Sequence, residues 1–357
     1  MKHILAIFFG LISLIGIYFF IQYDSAPISF RVSRPSRPTP TQKIVPGSYQ
    51  KFLFVPYWGM TTKQIPKEYD KLIYFGITPN NSGIDMQEIG YKNIPFFINH
   101  TDMQSSKLLT IRMLDTDIDA KVLQDKNFAQ KIISDSCTVA TKYGFTGVVL
   151  DFEYNALAFD SVVQSITNFS QTFANEAKQQ GLTFYQIVYG DTFYRLRPFD
   201  LEKLATHADG IIVLAYDFHK ANGDAGPNFP LSGHEVQGYD FKTMTTDFIR
   251  KVPATKLIVA FGLFGYDWLV DNQGHSSGLA TPLSFIEAQQ KFFTSCGYTQ
   301  CVIKKDDVSS EVKITYKDIS QNNHIVWIED MESIAKKSAY LKTQGINATA
   351  LWAWSYF

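Results

Sequence analysis

Eight short apolar runs, separated by helical patterns, constrain this chain more than any other feature. They are FLFVPYW (52–58), KLIYFGIT (71–78), KLLTIRML (107–114), GVVLDFE (147–153), LTFYQIVYG (182–190), GIIVLAYDF (210–218), KLIVAFGLFG (256–265) and ATALWAWS (348–355). Each is rich in β-branched and aromatic residues and apolar at consecutive positions, as strands buried on both faces of a parallel sheet are. Parallel neighbours need a crossover, and the intervening segments supply one. Val162, Val163, Ile166, Phe169, Phe173 and Ala177 form one helical stripe, closed by Gly181. Ser333 to Gln344 forms another, ended by Gly345. Strands alternating with helices over residues 51–357 predict an eight-stranded parallel β/α barrel, with an open doubly wound sheet as the alternative.

One interval breaks the rhythm. A helical pattern, Leu283 to Phe293, is followed by the polar, strand-like pieces VIKKDD, EVKITY and HIVWIED. Residues 266–330 are therefore expected to form a small α+β insertion before the last helix and strand. It would be either one wall of a cleft or solvent-exposed decoration.

Two segments of different texture precede the barrel. Residues 1–21 contain an uncharged apolar run of 18 residues, Ile4 to Ile21, at the lower edge of a membrane span. A cleaved signal has a shorter apolar region and a small-x-small site, and IQYDSAP offers no Ala-x-Ala. An uncleaved single-pass anchor is favoured over a cleaved signal, with the C-terminal domain outside the cell. Lys2 favours an inside N-terminus; Arg31, Arg34 and Arg37 oppose it, but large domains translocate largely regardless of such charges. Residues 22–50, rich in Pro, Ser and Thr, read as an extended tether.

Composition removes several functions. The net charge of −1 gives no field for nucleic acid. There is no zinc spacing and no glycine-rich phosphate loop, and His234-Glu235 is not followed by a second His at helical spacing. A monomer is expected, with no metal and no cofactor. Cys137 lies on the apolar face of a helical pattern and reads as a buried thiol. Cys296 and Cys301 frame CGYTQC and either bridge in an oxidising compartment or stay free in a loop.

In a β/α barrel the active site sits at the C-terminal ends of the strands. The fourth run ends in Asp151-Phe152-Glu153, the sixth in Tyr216-Asp217-Phe218-His219 and the first in Tyr57-Trp58. The seventh ends in Phe264-Gly265-Tyr266-Asp267-Trp268, and the eighth carries Trp352-Ala353-Trp354. Acids and aromatics thus converge on one rim, as a carbohydrate site requires.

These endings resemble glycoside hydrolase family 18, the chitinase-like family. Its fourth-strand signature, Asp-Gly-x-Asp-x-Asp-x-Glu, is matched in its last two acids by Asp151 and Glu153. Its sixth-strand Met-x-Tyr-Asp corresponds to Leu214-Ala215-Tyr216-Asp217. Its seventh-strand Gly-x-x-x-Tyr-Gly is approximated by Gly262 to Tyr266, and its final helix and Trp by IEDMESIAKKSAYLKTQGINATALW. The resemblance covers most of residues 51–357 and implies a substrate-assisted, retaining cleavage of β-linked N-acetylglucosamine polymers. It implies Glu153 as acid and then base, Asp151 as orienter of the acetamido nitrogen, and Tyr216 as donor to the acetamido oxygen. Asp217, Trp352 and Tyr57 are implied as sugar-binding residues, and the partner as an N-acetylated polysaccharide or oligosaccharide.

The chain departs from that pattern at three places. Val149 and Thr146 stand where the family has further acids, and the third run reads Thr110-Ile111-Arg112-Met113 in place of Ser-x-Gly-Gly. Arg112, if inward, would neutralise Asp151. These departures leave a non-catalytic, lectin-like surface protein as the alternative, and a structural surface protein as a third.

Overall fold

The apolar runs become the staves of a closed barrel. The computed structural model describes residues 48–61, 65–101, 105–154 and 156–357. The apolar run Ile4–Ile21 and all of the tether before residue 48 lie outside the described residues. Among the described residues no helix is long and apolar enough to cross a membrane.

The barrel is built from β1 (Gln50–Pro56), β2 (Lys71–Ile77), β3 (Ser106–Met113), β4 (Gly147–Phe152), β5 (Thr183–Tyr189), β6 (Gly210–Ala215) and β7 (Leu257–Gly262). The chain then leaves for β8 (Phe264–Val270), β9 (Thr281–Ser284), β10 (Thr299–Lys305), β11 (Val312–Lys317) and β12 (Asn323–Ile328), and returns as β13 (Ala348–Trp352). The barrel order is β1-β13-β7-β6-β5-β4-β3-β2, parallel throughout and closed by β1 on β2. Around it lie α1 (Ile94–His100), α2 (Thr116–Gln124), α3 (Lys126–Lys142), α4 (Asp160–Gln179), α5 (Leu201–His207), α6 (Phe241–Ile249) and α7 (Met331–Thr343).

Period-two alternation sorts each strand between two cores. Phe52, Phe54, Ile73, Leu108, Val149 and Ile212 fill the barrel interior. Their neighbours Leu53, Leu72, Leu109, Val148 and Ile211 face the helices. This double burial is why the runs read as continuously apolar. Asp115, Asp125, Asp200, Asp240 and Asp330 cap α2, α3, α5, α6 and α7 by accepting from backbone N–H groups of the first turn. Each such cap contributes about 1 kcal/mol. Gly181 and Gly345, just beyond α4 and α7, take φ of +72° and +81°, the left-handed turn that glycine allows cheaply.

The insertion is a five-stranded antiparallel sheet, β9-β8-β12-β11-β10, with a short helical segment at residues 285–293. Two details differ from the sequence reading. The run KLIVAFGLFG is not one strand, because the amide of Leu263 turns to donate to the carbonyl of Trp352. β7 therefore ends at Gly262 and the insertion sheet opens at Phe264, two residues before the expected boundary at 266. The helix starts at Phe285 rather than Leu283, because Ser284 and Glu287 form a reciprocal capping box there. Cys296 and Cys301 form a disulfide that closes the loop before β10, and Cys137 is buried and free.

A buried charge cluster fastens the insertion to the barrel. Lys337 of α7 donates to Glu311 at 3.0 Å and to Glu329, and all three side chains are fully buried. Glu311 also accepts from the amides of Asn228 at 2.6 Å and Phe229 at 2.8 Å. Asn228 then accepts from the amide of Asp217 at 2.7 Å and donates to the carbonyls of Gly262 and Phe264 at 3.3 and 3.0 Å. One chain of bonds thus runs from the insertion to the end of β6.

Candidate active site

At the C-terminal ends of the strands the inward positions become polar. Asp151 and Arg112 are register partners on β4 and β3. One pair further down, Thr110 lies opposite Val149, and both are fully buried. The floor beneath Asp151 is therefore apolar apart from one threonine.

Asp151 and Glu153 do not stand as an equal pair. β4 stops at Phe152, so Glu153 is exposed on the rim while Asp151 is only 2 % exposed. Glu153 is held by two bonds. Its amide donates to the carbonyl of Met113 at 3.0 Å, and the hydroxyl of Tyr189 donates to its Oε2 at 3.1 Å. Burial, and then the charge of Glu153, pushes the Asp151 carboxyl well above the usual carboxylate range. Arg112 opposes that rise. It does point inward, but it is shared: it pairs with Glu88 at 3.5 Å and lies over Tyr57 and Phe75, 5.1 and 5.5 Å from the ring centroids.

Tyr216 and Asp217 follow β6. Burial, then Asp151, keeps the Tyr216 phenol far above its ordinary value, so it stays a hydrogen-bond donor at any working pH. Asp217 takes a left-handed φ of +58°, which Asp tolerates better than most residues. Its amide is held by Asn228, and its Oδ1 accepts from the Tyr266 hydroxyl at 2.7 Å. Burial raises its carboxyl, and that bond offsets part of the rise.

Trp352 lies among rings. Phe75 is 4.7 Å away, Phe54 5.4 Å, Trp58 6.2 Å and Tyr216 6.4 Å, centroid to centroid. It borders a cleft of about 590 Å³ between the barrel rim and the insertion, lined also by Trp58, Tyr266, Ile286, Glu287 and Tyr356. The insertion is thus one wall of a cleft. Tyr57 is turned to Arg112 and Trp58, as a support for the guanidinium. Asp267 belongs to the insertion sheet, bound by Lys291, Tyr316 and His324 at 2.7–2.8 Å.

This arrangement pairs an exposed carboxyl with a buried one, a phenol donor and an aromatic floor. Residues 61–356 match the Glycosyl hydrolases family 18. The chain belongs to this family. A putative sporulation-specific glycosylase, YdhD, of Bacillus subtilis is 25 % identical over 248 residues, 68 % of this chain and 55 % of that protein. Chitotriosidase-1 of Mus musculus is 24 % identical over 243 residues, 62 % of this chain and 52 % of that protein. The chain thus spans about half the length of these curated relatives. The crystal structure of a class V chitinase from Nicotiana tobaccum shares the fold, with a TM-score of 0.75 at 16 % identity over 87 % of this chain and 95 % of that one.

Family 18 motifs lead to Asp151, Glu153, Tyr216, Asp217 and Trp352, and the barrel brings these to one end. They do not lead to Tyr189. The only signal for it in the sequence is parity: Tyr185, Ile187 and Tyr189 alternate along β5, and the last of an inward-facing set reaches the rim. Arg197 stacks on Tyr189 at 4.3 Å and grips Asp191 through Nε at 3.0 Å and Nη2 at 3.1 Å. Burial works against the charge of Asp191, but bonds from Arg197 and Arg195 hold its carboxyl below the usual range. Tyr189 is therefore clamped from behind. Tyr189→Phe is expected to lower kcat on a cleaved glycan about tenfold, the order of one hydrogen bond to a charged group, with KM unchanged. Steady-state kinetics of the two proteins measure this, and an unchanged kcat would remove Tyr189 from the site.

Proposed function

We propose that this chain hydrolyses β-linked N-acetylglucosamine polymers, with Glu153 as acid and base. The observation that carries the reading is the pairing of rim-exposed Glu153, bonded by Tyr189, with buried Asp151 two residues before it. Family 18 is an exception to the two-carboxylate scheme, because the substrate's acetamido group is the nucleophile. Glu153 gives its proton to the glycosidic oxygen as the bond from the anomeric carbon breaks. The acetamido oxygen closes on that carbon. Asp151 holds the acetamido nitrogen and offsets the positive charge of the cyclic intermediate, and the Tyr216 hydroxyl donates to the acetamido oxygen. Water then opens the ring and its proton returns to Glu153. Asp217 and Trp352 bind the same sugar, Trp352 by stacking.

We take chitin-like glycans and peptidoglycan as the two substrate classes to test, since one relative is named a chitotriosidase and others a sporulation-specific glycosylase and a cortical fragment-lytic enzyme. We also infer a membrane-anchored enzyme acting outside the cell. The apolar run Ile4–Ile21 and the Cys296–Cys301 disulfide support this reading. The test is release of reducing ends from chito-oligosaccharides and from peptidoglycan, with Glu153→Gln as the blank. Release no greater than the blank on every N-acetylated glycan would end the hydrolase reading.

The apolar floor at Val149 favours a second reading, a glycan-binding protein without turnover. Both readings need the aromatic platform. Trp352→Ala is expected to raise Kd for chito-oligosaccharides about tenfold, roughly 1.4 kcal/mol by calorimetry. Unchanged affinity would count against both.

A further inference from the structure

The corner beside the site holds one more carboxyl than the chemistry above employs. Only Leu114 and Asp115 separate the end of β3 at Met113 from the start of α2 at Thr116. The Met113 carbonyl accepts from the Glu153 amide, so the first turn of α2 and the end of β4 share this corner. Asp119 sits in that turn, 1 % exposed, and neither of its carboxyl oxygens has a hydrogen-bond partner among the described residues. Asp151 Oδ1 is unpartnered as well. Capping does not explain Asp119, because Asp115 already caps α2 by accepting from the amides of Asp117 and Ile118 at 2.9 and 3.1 Å.

Charge counting sharpens the point. The charges acting on Asp119 are those of Asp115, from its own loop, and Glu153, from the end of β4. Asp151 feels Glu153, Arg112 and Asp119. Arg112 is shared with Glu88, so Asp151 meets a divided guanidinium, and Asp119 and Asp151 are both buried at low dielectric. They cannot both ionise freely. Burial, with Asp115 and then Glu153, pushes Asp119 up to about 7.

We propose that Asp119 is a positioning residue for Asp151: the two buried carboxyls share one proton in this corner, and the charge of Asp119 governs when Asp151 carries its own beneath the sugar. Its catalytic meaning rests on the hydrolase reading; its coupling to Asp151 does not. Over a cycle Asp119 gains and loses no net proton. The proton that moves passes from Glu153 to the glycosidic oxygen, and water returns one to Glu153.

The test has two arms on the full chain. The first follows the carbonyl stretch of buried carboxylic acids by infrared spectroscopy through a pH titration of wild type, Asp119→Asn and Asp151→Asn. A band fading near pH 7 is expected in wild type and absent from Asp119→Asn. The band lost in Asp151→Asn should titrate about one unit lower in Asp119→Asn, the size of a removed neighbouring charge. Asp119→Asn should melt at or above the wild-type temperature, since an amide replaces an unpaired buried acid. The second arm is the pH profile of kcat. Its alkaline limb belongs to the coupled cluster and should move down by about one unit in Asp119→Asn, with KM within about twofold. An Asp151 midpoint that does not move overturns the proposal, as does an unmoved limb in an active enzyme. If wild type cleaves no N-acetylated glycan, the hydrolase reading falls, and the infrared arm alone decides the role of Asp119.

Discussion

Glu153→Gln is expected to lower kcat on N-acetylglucosamine oligomers about a hundred- to ten-thousand-fold, the usual range for a lost general acid and base. The substitution is close to isosteric, and the side chain is exposed on the rim, so no cavity or buried charge is created. The Tyr189 hydroxyl can still donate to the amide oxygen that replaces Oε2. What disappears is the transferable proton. Affinity for the same oligomers should stay within about threefold, because Trp352, Tyr216 and Asp217 are untouched, and the melting temperature should not change. Initial rates beside calorimetric affinity separate the outcomes. Loss of rate with retained affinity is the signature of a catalytic carboxyl. An equal loss in both would make Glu153 a binding residue, and no loss in either would remove it from the site. Asp151→Asn contrasts with it. That change falls on a buried group set between Arg112 and Glu153, so it should alter both rate and stability.

The sequence carried the fold because every barrel strand is buried on both faces. The eight apolar runs needed only length and punctuation to be read as strands, and Gly181 and Gly345 closed the two helices nearest to them. The candidate site was legible to the extent that it sits at strand ends: the positions of Asp151, Tyr216 and Trp352 on one rim follow from where their strands end. Three features were hidden for physical reasons. The break at Leu263 is made by a bond to Trp352, which lies far along the chain, and local apolarity gives no sign of it. Asp119 reads as an ordinary acid in the first turn of a helix; only packing shows that it is buried without a hydrogen-bond partner among the described residues. Arg112 looked like a neutraliser for Asp151, but Glu88, which no strand pattern singles out, draws on the same guanidinium. Local patterns report burial and direction. They do not report which distant group comes to share a charge.

The join between insertion and barrel is such a distant match, and Lys337 is where it should fail. Lys337→Met is expected to destabilise the domain by about 3–5 kcal/mol, the cost of leaving a buried charge without its partner. Glu311 and Glu329 are both fully buried, and Lys337 is the cation between them. Met preserves the aliphatic stem, so the loss is electrostatic and not a cavity. Glu311 also fixes the amides of Asn228 and Phe229, and Asn228 fixes the amide of Asp217, so affinity for the glycan should fall with stability. The pH dependence gives an independent check. Burial, only partly offset by Lys337, raises Glu329 from the ordinary 4.5 to about 8. The folded state then binds a proton that the unfolded chain releases. This contribution is present in full below about pH 4.5 and is lost as the pH rises through about 8. The wild-type melting temperature should therefore decline between pH 6 and 9, and Glu329→Gln, neutral throughout, should flatten that decline. Thermal melts of wild type, Lys337→Met, Glu329→Gln and the double variant form the cycle. In the double variant the amide removes one of the two stranded acids, so its loss should be smaller than that of Lys337→Met alone. Additive losses, or a wild-type slope no steeper than that of Glu329→Gln, would mean that the three groups do not act as one unit holding the cleft wall to the barrel.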